Sequence, residues 1–209
     1  MKVFVVGGAL GYANFLEGVS FVDRVEDAEV VIFTGGEDVT PSLYNCEKHP
    51  TTYCNPRRDL EEKEIFDRIN KKQVVLGICR GSQLICVLNG GILVQNVSGH
   101  AIGKTHGITN GKMVYQITST HHQMQYPYNL DKEDYDVLYC ADRLYSARYE
   151  GDKIDVELIS KYGEPEIVLY HKKELPKCLA VQGHPEMIPN SPVAKMISNL
   201  VKDLIDANN

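Results

Sequence analysis

The chain has 209 residues, of which 43% are hydrophobic, and a formal net charge of −6, so it is long and apolar enough for one sizeable core. No cluster of lysines and arginines stands out, and nucleic acid is therefore not expected as a ligand. No apolar run approaches the roughly 18 residues that a membrane span needs. Six scattered cysteines argue against a disulfide framework and favour a reducing, cytoplasmic location.

Apolar runs alternate with amphipathic segments in the first half of the chain. Residues 2–6 and 29–33 are predicted to be buried strands, and residues 58–70 an amphipathic helix. A strand of the parallel type is predicted over 73–78, followed by a helix over 81–89 that ends at two glycines. The apolar face of the helix over 58–70 comprises Leu60, Ile65, Phe66 and Ile69.

The second half of the chain is richer in predicted strands. The runs that predict strands are 91–95, 112–118, 135–140, 144–149, 154–160, 165–170 and 178–183. A C-terminal helix over 191–207 begins with Pro192 near its first turn. Early alternation of strand and helix predicts an α/β fold with a parallel sheet, which the later strands extend or cover as an antiparallel flap. Without repeats or linkers, residues 1–209 are interpreted as one domain.

The segment from Val74 to Gln83 carries the strongest chemical signal. An apolar run leads into Cys79, which has a glycine two residues to either side, Gly77 and Gly81, and a helical segment follows. This pattern is typical of a nucleophile elbow, with cysteine in the place of serine. Amides at the start of the helix favour a thiolate and stabilise a developing oxyanion. A buried structural cysteine on a strand-to-helix connection is the alternative.

His184 and Glu186, far along the chain, complete a candidate triad. Pro185 disfavours the helical region for His184, so the segment is predicted to be extended, with the two side chains on one side. Glu186 would then hold His184 in one tautomer while the other ring nitrogen faces Cys79. Cysteine, base and carboxylate indicate acyl transfer through a thioester. The alternative is a turn at the end of a strand with a solvated glutamate.

Gly35 and Gly36 follow the strand predicted over 29–33. Ligands bind at the carboxyl edge of an open α/β sheet, where glycine amides can approach them closely. The backbone near Gly36 would supply half of an oxyanion hole and the amide of Arg80 the other half. An ordinary turn of two glycines is the alternative.

A polar block, Ser119 to Gln123, lies between predicted strands and includes the adjacent histidines His121 and His122. Neighbours in sequence seldom both bind one ion, and His100 and His106 lie too far away to complete a pattern of ligands. A loop that lines the substrate pocket is the favoured interpretation, and neither a metal nor another cofactor is expected.

Several motifs in the same order resemble those of class I glutamine amidotransferase-like proteins, and within them the γ-glutamyl-γ-aminobutyrate hydrolase group. The motifs are Gly77–Gln83, Gly35–Tyr44, Gln83–Gln95, Arg58–Asp59, Ser119–Gln123 and Val181–Glu186. The resemblance spans about residues 29 to 190. It implies a three-layer, flavodoxin-like sandwich with a mainly parallel central sheet and an antiparallel extension.

The resemblance also implies roles for individual residues. Cys79 would be the nucleophile, His184 the base and acid, and Glu186 the group that orients the histidine. Backbone amides near Gly36 and Arg80 would form the oxyanion hole. The residues expected to bind the α-amino and carboxylate groups of a γ-glutamyl substrate are Gly35, Gln83, Ser119, Thr120 and His121.

Three functions follow as hypotheses. The leading one is a hydrolase of γ-glutamyl amides that forms a glutamyl thioester on Cys79 and releases glutamate and an amine. The second is a glutaminase subunit that delivers ammonia to a separate synthetase. The third is a non-catalytic binding or regulatory protein on the same fold. A small molecule is the expected partner, and a synthetase partner or a homodimer stays open.

Overall fold

The computed structural model describes residues 1–208 and shows a nine-stranded sheet with helices on both faces. The strands are β1 (Lys2–Val5), β2 (Ser20–Phe21), β3 (Val30–Phe33), β4 (Val74–Ile78), β5 (Ile92–Val94), β6 (Asn96–Val97), β7 (Ala101–Thr109), β8 (Val114–Thr120), β9 (Met124–Tyr126), β10 (Tyr135–Ala141), β11 (Tyr149–Glu150), β12 (Pro165–Tyr170) and β13 (Lys177–Val181). The α-helices are α1 (Pro56–Phe66), α2 (Arg80–Leu88), α3 (Val156–Tyr162) and α4 (Pro192–Asp206). Short 3-10 turns occupy Val6–Gly8, Leu10–Ala13, Val25–Asp27, Pro41–Tyr44 and Pro185–Met187.

The large sheet has a parallel half and an antiparallel half. Its strand order is β2-β1-β3-β4-β13-β12-β10-β7-β8. Pairing is parallel from β2 to β13 and antiparallel from β13 to β8. The predicted α/β architecture is thus confirmed, and the later strands extend the sheet. Two small sheets, β5 with β9 and β6 with β11, lie apart from it.

The core forms two layers, one on each face of the sheet. Val31 and Phe33 of β3 pack into the cluster that contains residues of α1, α2 and α3, whereas Val30 and Ile32 pack into the cluster that contains α4. Strands covered on both faces have continuous apolar runs, which is why β3 and β4 are recognisable from sequence. No helix in residues 1–208 combines the length and the apolar character required to cross a membrane.

Two predicted strands are wrong. Residues 154–160 alternate apolar and polar side chains, yet helix α3 forms there because the Asp155 side chain caps it, accepting from the Glu157 amide at 2.9 Å. Only the last residue of 144–149 enters a strand, the short β11. Strand β7 has no predicted counterpart, because its first five residues are exposed and carry no apolar run.

Helix α1 ends at Phe66, and Leu60, which was predicted on its apolar face, is 55% exposed. Asp59 and Glu62 are buried instead. Their carboxylates form ion pairs with the guanidinium of Arg80, the first residue of α2, which is 1% exposed. Asp59 also accepts from the Thr40 amide at 2.8 Å. This buried network ties the start of α2 to α1.

We expect Arg80→Ala to lower the free energy of unfolding by about 3–5 kcal/mol, because Asp59 would stay buried without a cation and Glu62 would keep only its pair with Arg58. The matched control is Arg57→Ala, which removes an arginine whose side chain is 89% exposed and pairs with Glu61 on the surface. That control should change stability little. Urea denaturation measures both variants, and equal small losses would contradict a structural role for the buried network.

Candidate active site

Cys79 connects the end of β4 to the start of α2 with φ 54° and ψ −111°. A positive φ is strained for a residue with a side chain, so the surroundings must hold it. The Cys79 amide donates to the Val181 carbonyl of β13 at 2.8 Å. Its own carbonyl accepts from the Ser82 amide at 3.0 Å and from the Ser82 hydroxyl at 2.6 Å. The thiol is therefore presented from a turn that is fixed on both sides.

Gly77 and Gly81 allow the close packing that this turn requires. A Cβ on Gly77 would collide with the Gly81 carbonyl and with Ile85, and a Cβ on Gly81 would collide with the Phe33 carbonyl of β3. Strands β3 and β4 and helix α2 thus approach one another too closely for side chains at these positions. This is the geometry that the sequence predicts for a nucleophile elbow.

His184 and Glu186 meet beside this turn. Nδ1 of His184 lies 2.6 Å from Oε1 of Glu186. The segment is not extended as predicted, because Pro185–Met187 forms a 3-10 turn that folds Glu186 back towards the imidazole. The His184 amide donates to the Thr118 hydroxyl of β8 at 2.6 Å. The antiparallel half of the sheet therefore helps to position the base.

The surroundings favour a protonated His184. Burial lowers the pKa of its imidazole, but hydrogen bonding to Cys79 and then to Glu186 raises the pKa to about 10. The imidazole beside the cysteine side chain can thus hold the proton of the thiol, and a carboxylate orients this imidazole. These three side chains can exchange a proton between sulfur and nitrogen, which nucleophilic catalysis requires.

Tyr12 is a neighbour of the site that the sequence did not indicate. Its ring centroid lies 6.3 Å from that of His184. Burial first, and then the negative charge of Glu186, raise the pKa of its phenol. A Cβ on Gly35 would meet Tyr12 Oη at 2.8 Å and His184 Cε1 at 3.2 Å. The absence of a side chain at Gly35 thus leaves room for both rings.

A cavity of about 190 Å³ opens next to Cys79. Of the residues predicted to form the site, Gly36, Arg80, Gln83, Thr120 and His121 line it. Ser119 does not line it. Its side chain is fully buried and donates to the His100 carbonyl at 2.5 Å. The sequence therefore predicted many of the residues that line the cavity, whereas the Ser119 hydroxyl forms its hydrogen bond inside the fold.

Gln83 fastens the loop that forms one wall of the cavity. Its side-chain amide donates to the Gln123 carbonyl at 3.0 Å, and the Gln123 side chain donates to the Thr52 hydroxyl at 3.0 Å. Nδ1 of His121 lies 2.9 Å from the same Gln123 carbonyl. Burial lowers the pKa of His121 to about 4, so this imidazole is neutral near neutral pH.

Three residues that line the cavity were not assigned roles from the sequence: Glu37, Asp38 and Tyr53, whereas His122 belongs to the polar block that was predicted to line it. Asp38 Oδ1 lies 2.9 Å from Nε2 of His122, and this hydrogen bond raises the pKa of the imidazole. Asp38 also accepts from the Tyr53 amide at 2.8 Å. The available signals were the position of Asp38 after a strand and the position of His122 in the polar block.

The fold also gathers histidines that lie apart in sequence. Among the described residues, His100, His106 and Glu166 place potential metal-binding atoms within 4.8 Å of one another. The spacing of the histidines alone shows no such pattern, because the glutamate comes from a different strand, β12. His121 lies beside this group as well as in the wall of the cavity.

Comparison with known proteins matches residues 15–136, more than half of the chain, to the Peptidase C26 family. A Mycobacterium tuberculosis protein that carries the name of a glutamine amidotransferase is 36% identical over 87 residues, which are 38% of this chain and 28% of that protein. Protein NtpR of Enterococcus hirae is 31% identical over 81 residues, 38% of this chain and 33% of that protein. The matched part thus spans a third or less of the length of these two relatives.

Solved structures share the fold along nearly the whole chain. A Thermoplasma acidophilum protein that carries the name of a GMP synthase component aligns with a TM-score of 0.61 and 15% identity, covering 99% of this chain and 94% of that one. A glutamine amidotransferase from Thermotoga maritima aligns with a TM-score of 0.54 and 13% identity, covering 100% and 90%. At these identities the likeness shows the fold alone, a flavodoxin-like α/β fold of class I glutamine amidotransferases.

The site predicts selective alkylation of Cys79 near neutral pH. Burial raises the pKa of Cys86 and of Cys178 to about 12 and that of Cys140 to about 11, which leaves little thiolate at these positions. His184→Ala should slow iodoacetamide labelling of Cys79, because the variant removes the imidazole whose pKa the Cys79 side chain raises.

Peptide mass spectrometry after timed labelling measures the rate at each cysteine. Cys54, which is partly exposed, is the internal control, because its rate should not respond to His184→Ala. A Cys79 rate that is equal in the two proteins would contradict the coupling between thiol and imidazole.

Proposed function

The chain belongs to the Peptidase C26 family, and we propose that it is a cysteine-dependent hydrolase of γ-glutamyl amide bonds. The observation that carries the proposal is the arrangement of Cys79, His184 and Glu186, with Cys79 in the wall of a small cavity. Family membership supports amide-bond hydrolysis in general. The γ-glutamyl specificity rests on motifs similar to those of the γ-glutamyl-γ-aminobutyrate hydrolase group.

In the proposed reaction the Cys79 thiolate attacks the γ-carbonyl carbon of the substrate. His184, protonated, then gives its proton to the departing nitrogen as the carbon–nitrogen bond breaks, which leaves a glutamyl thioester. Water attacks the thioester, loses a proton to His184, and displaces the thiolate to release glutamate. Glu186 keeps Nδ1 of His184 occupied, so that Nε2 serves both steps.

Backbone amides near Gly36 and Arg80 would stabilise the oxyanion of each tetrahedral intermediate. Arg80 begins α2, where amide groups without helical partners and the positive end of the helix dipole meet negative charge. The buried pairing of the Arg80 side chain with α1 would hold this amide in place. Pre-organised donors of this kind cost no rearrangement during the reaction.

The cavity offers charges of both signs for the glutamyl end of a substrate. Glu37 and Asp38 contribute carboxylates, which suit an α-ammonium group. His122, whose pKa Asp38 raises, contributes a donor that suits an α-carboxylate. A volume of about 190 Å³ fits an amino-acid side of the substrate better than a long peptide.

A second candidate is a glutaminase subunit that passes ammonia to a separate synthetase. This candidate is supported by relatives whose names refer to glutamine amidotransferases. Its chemistry at Cys79 is the same, so the two candidates differ in the leaving group and in the need for a partner. A non-catalytic role is disfavoured by the arrangement of Cys79, His184 and Glu186.

Substitution of the triad should rank the three residues. Cys79→Ser and His184→Ala should each lower kcat by about 10⁶-fold, and Glu186→Gln by about 10⁴-fold, because the last disturbs orientation without removing the base. The readout is glutamate release from a γ-glutamyl amide. Cys54→Ser, at a partly exposed cysteine outside the triad, is the matched control and should keep full activity. An active Cys79→Ser variant would refute the assignment of the nucleophile.

A second assay separates the hydrolase from the glutaminase subunit. We expect the purified chain alone to hydrolyse at least one γ-glutamyl amide faster than glutamine. The reason is that binding energy from contacts to the amine part of the substrate can lower the barrier at the reacting carbon. A panel of γ-glutamyl amides with glutamate release as the readout measures this. Glutamine hydrolysis that appears only after a synthetase is added, with no turnover of the panel, would support the second candidate instead.

A further inference from the structure

A buried group of three histidines and one glutamate lies behind the wall of the cavity. We call it the histidine cluster. His100 directly precedes β7, His106 lies within β7, His121 directly follows β8 and Glu166 belongs to β12. None of the four is more than 3% exposed. Buried ionisable groups require a partner for their charge or their lone pairs, which makes this cluster unusual for a protein interior.

The nitrogens of the three rings converge on one oxygen. From Oε1 of Glu166 the distances are 2.9 Å to Nε2 of His106, 3.5 Å to Nδ1 of His100 and 3.8 Å to Nε2 of His121. A tetrahedral zinc ion with bonds of about 2.0–2.1 Å holds its ligand atoms about 3.3–3.4 Å apart. The ligand atoms of His100, His106 and Glu166 lie within 4.8 Å of one another, so an ion of this size fits among them after small side-chain adjustments. Nε2 of His121, at 3.8 Å from the same glutamate oxygen, would move in to complete the set.

The outer contact of His121 fixes where its proton lies. Nδ1 of His121 is 2.9 Å from the Gln123 carbonyl, which can only accept, so Nδ1 carries the hydrogen. In the neutral ring Nε2 of His121 therefore directs its lone pair at Glu166. Nε2 of His100 lies 3.0 Å from the Glu164 carboxylate, close enough for an ion pair but without hydrogen-bond geometry.

Most polar atoms of the cluster have no hydrogen-bond partner. Both ring nitrogens of His100, Nδ1 of His106, Nε2 of His121 and Oε2 of Glu166 are buried and unsatisfied. The exception is Nε2 of His106, which hydrogen-bonds to Oε1 of Glu166 at 2.9 Å. A cation within the cluster would give the remaining lone pairs a partner. The described part of the chain supplies no lysine or arginine ion pair to Glu166; its ion pairs are with the three histidines.

Glu164 supports this arrangement from outside. Its carboxylate accepts from the Tyr145 amide at 2.9 Å, the Ser146 amide at 2.8 Å and the Tyr149 hydroxyl at 2.7 Å, so its position beside His100 is fixed. A carboxylate or a backbone carbonyl behind the outer nitrogen is the usual environment of a metal-binding histidine. Glu164 fills this position for His100, and the Gln123 carbonyl fills it for His121.

We propose that His100, His106, His121 and Glu166 bind one divalent transition-metal ion, with zinc the best match. Imidazole and carboxylate ligands without thiolate suit zinc, and four buried protein ligands leave no open position for a reacting group. The ion would therefore be structural. It would join β7, β12 and the loop after β8, which also lines the cavity at Cys79. The proposal does not depend on the reaction proposed above.

The test begins with the whole chain, produced without a histidine tag and purified without chelators. We expect elemental analysis to find on the order of one zinc ion per chain. Removal of metal with a chelator should lower Tm, and added zinc should restore it, because the ion binds only the folded protein. Cobalt in place of zinc should give visible d–d absorption of a four-coordinate site, without a band of thiolate-to-cobalt charge transfer.

Variants assign the ion to these residues. Glu166→Gln keeps the shape of the side chain and should lower zinc affinity by at least about 10–100-fold. His171→Gln is the matched control, since His171 pairs with Asp136 away from the cluster, and it should bind zinc like the unaltered chain. If Glu166→Gln fails to fold, the cobalt spectrum of the unaltered chain decides whether the ion is bound without thiolate ligands.

Three results would overturn the proposal. A chain that holds no metal and whose Tm does not respond to zinc would show that protons alone balance the cluster. Equal zinc affinity in Glu166→Gln would place the ion elsewhere. Thiolate charge transfer in the cobalt spectrum would assign binding to cysteines.

Discussion

The backbone of Cys79 is held in a conformation that a residue with a side chain rarely adopts, at φ 54°. Such strain costs of order 1–3 kcal/mol and persists only where its surroundings enforce it. Here the enforcement comes from the hydrogen bond to Val181, from the helix that starts at the next residue, and from the packing of Gly77 and Gly81. The packing of the buried strands β3, β4 and β13 is therefore a condition for presenting the thiol.

The same hydrogen bond aligns the other half of the site. Val181 ends β13, the strand next to β4, and His184 follows three residues later. Pairing β4 with β13 thus sets Cys79 and His184 at the same edge of the sheet. Thr118 of β8, from the antiparallel half, then fixes the backbone of His184. The two halves of the sheet meet at the candidate active site.

Charge inside the fold supports this geometry at two places. Arg80 carries its guanidinium inward to Asp59 and Glu62, so its side chain anchors the residue that follows Cys79. On the opposite side of the cavity, His121 connects the loop to the buried glutamate of β12. Contacts on both sides of the cavity thus hold its polar side chains in place.

The sequence predicts the parts of this molecule that depend on local pattern. These parts are recognisable because each reflects a local backbone requirement. They are the apolar runs at β3 and β4, the glycines around Cys79 and the short sequence spacing between His184 and Glu186. Helix α3 is the exception. Its alternating side chains predict a strand, but the cap at Asp155 starts a helix in the structure.

Features that depend on long-range contacts are not predictable in this way. The burial of Asp59 and Glu62 depends on Arg80, which is distant in the sequence. The meeting of His100 with Glu166 likewise depends on how the antiparallel strands associate. The 3-10 turn at Pro185 brings Glu186 to His184, and this is visible only in the three-dimensional path of the chain.

The most direct measurement of the central claim is the detection of an acyl-enzyme. A γ-glutamyl amide would be mixed with the protein, quenched in acid during turnover, and the chain digested and analysed by mass spectrometry. The proposed mechanism predicts a glutamyl group on the peptide that contains Cys79, in a thioester that hydroxylamine removes. Turnover without any adduct on Cys79, or an adduct on another cysteine, would contradict it.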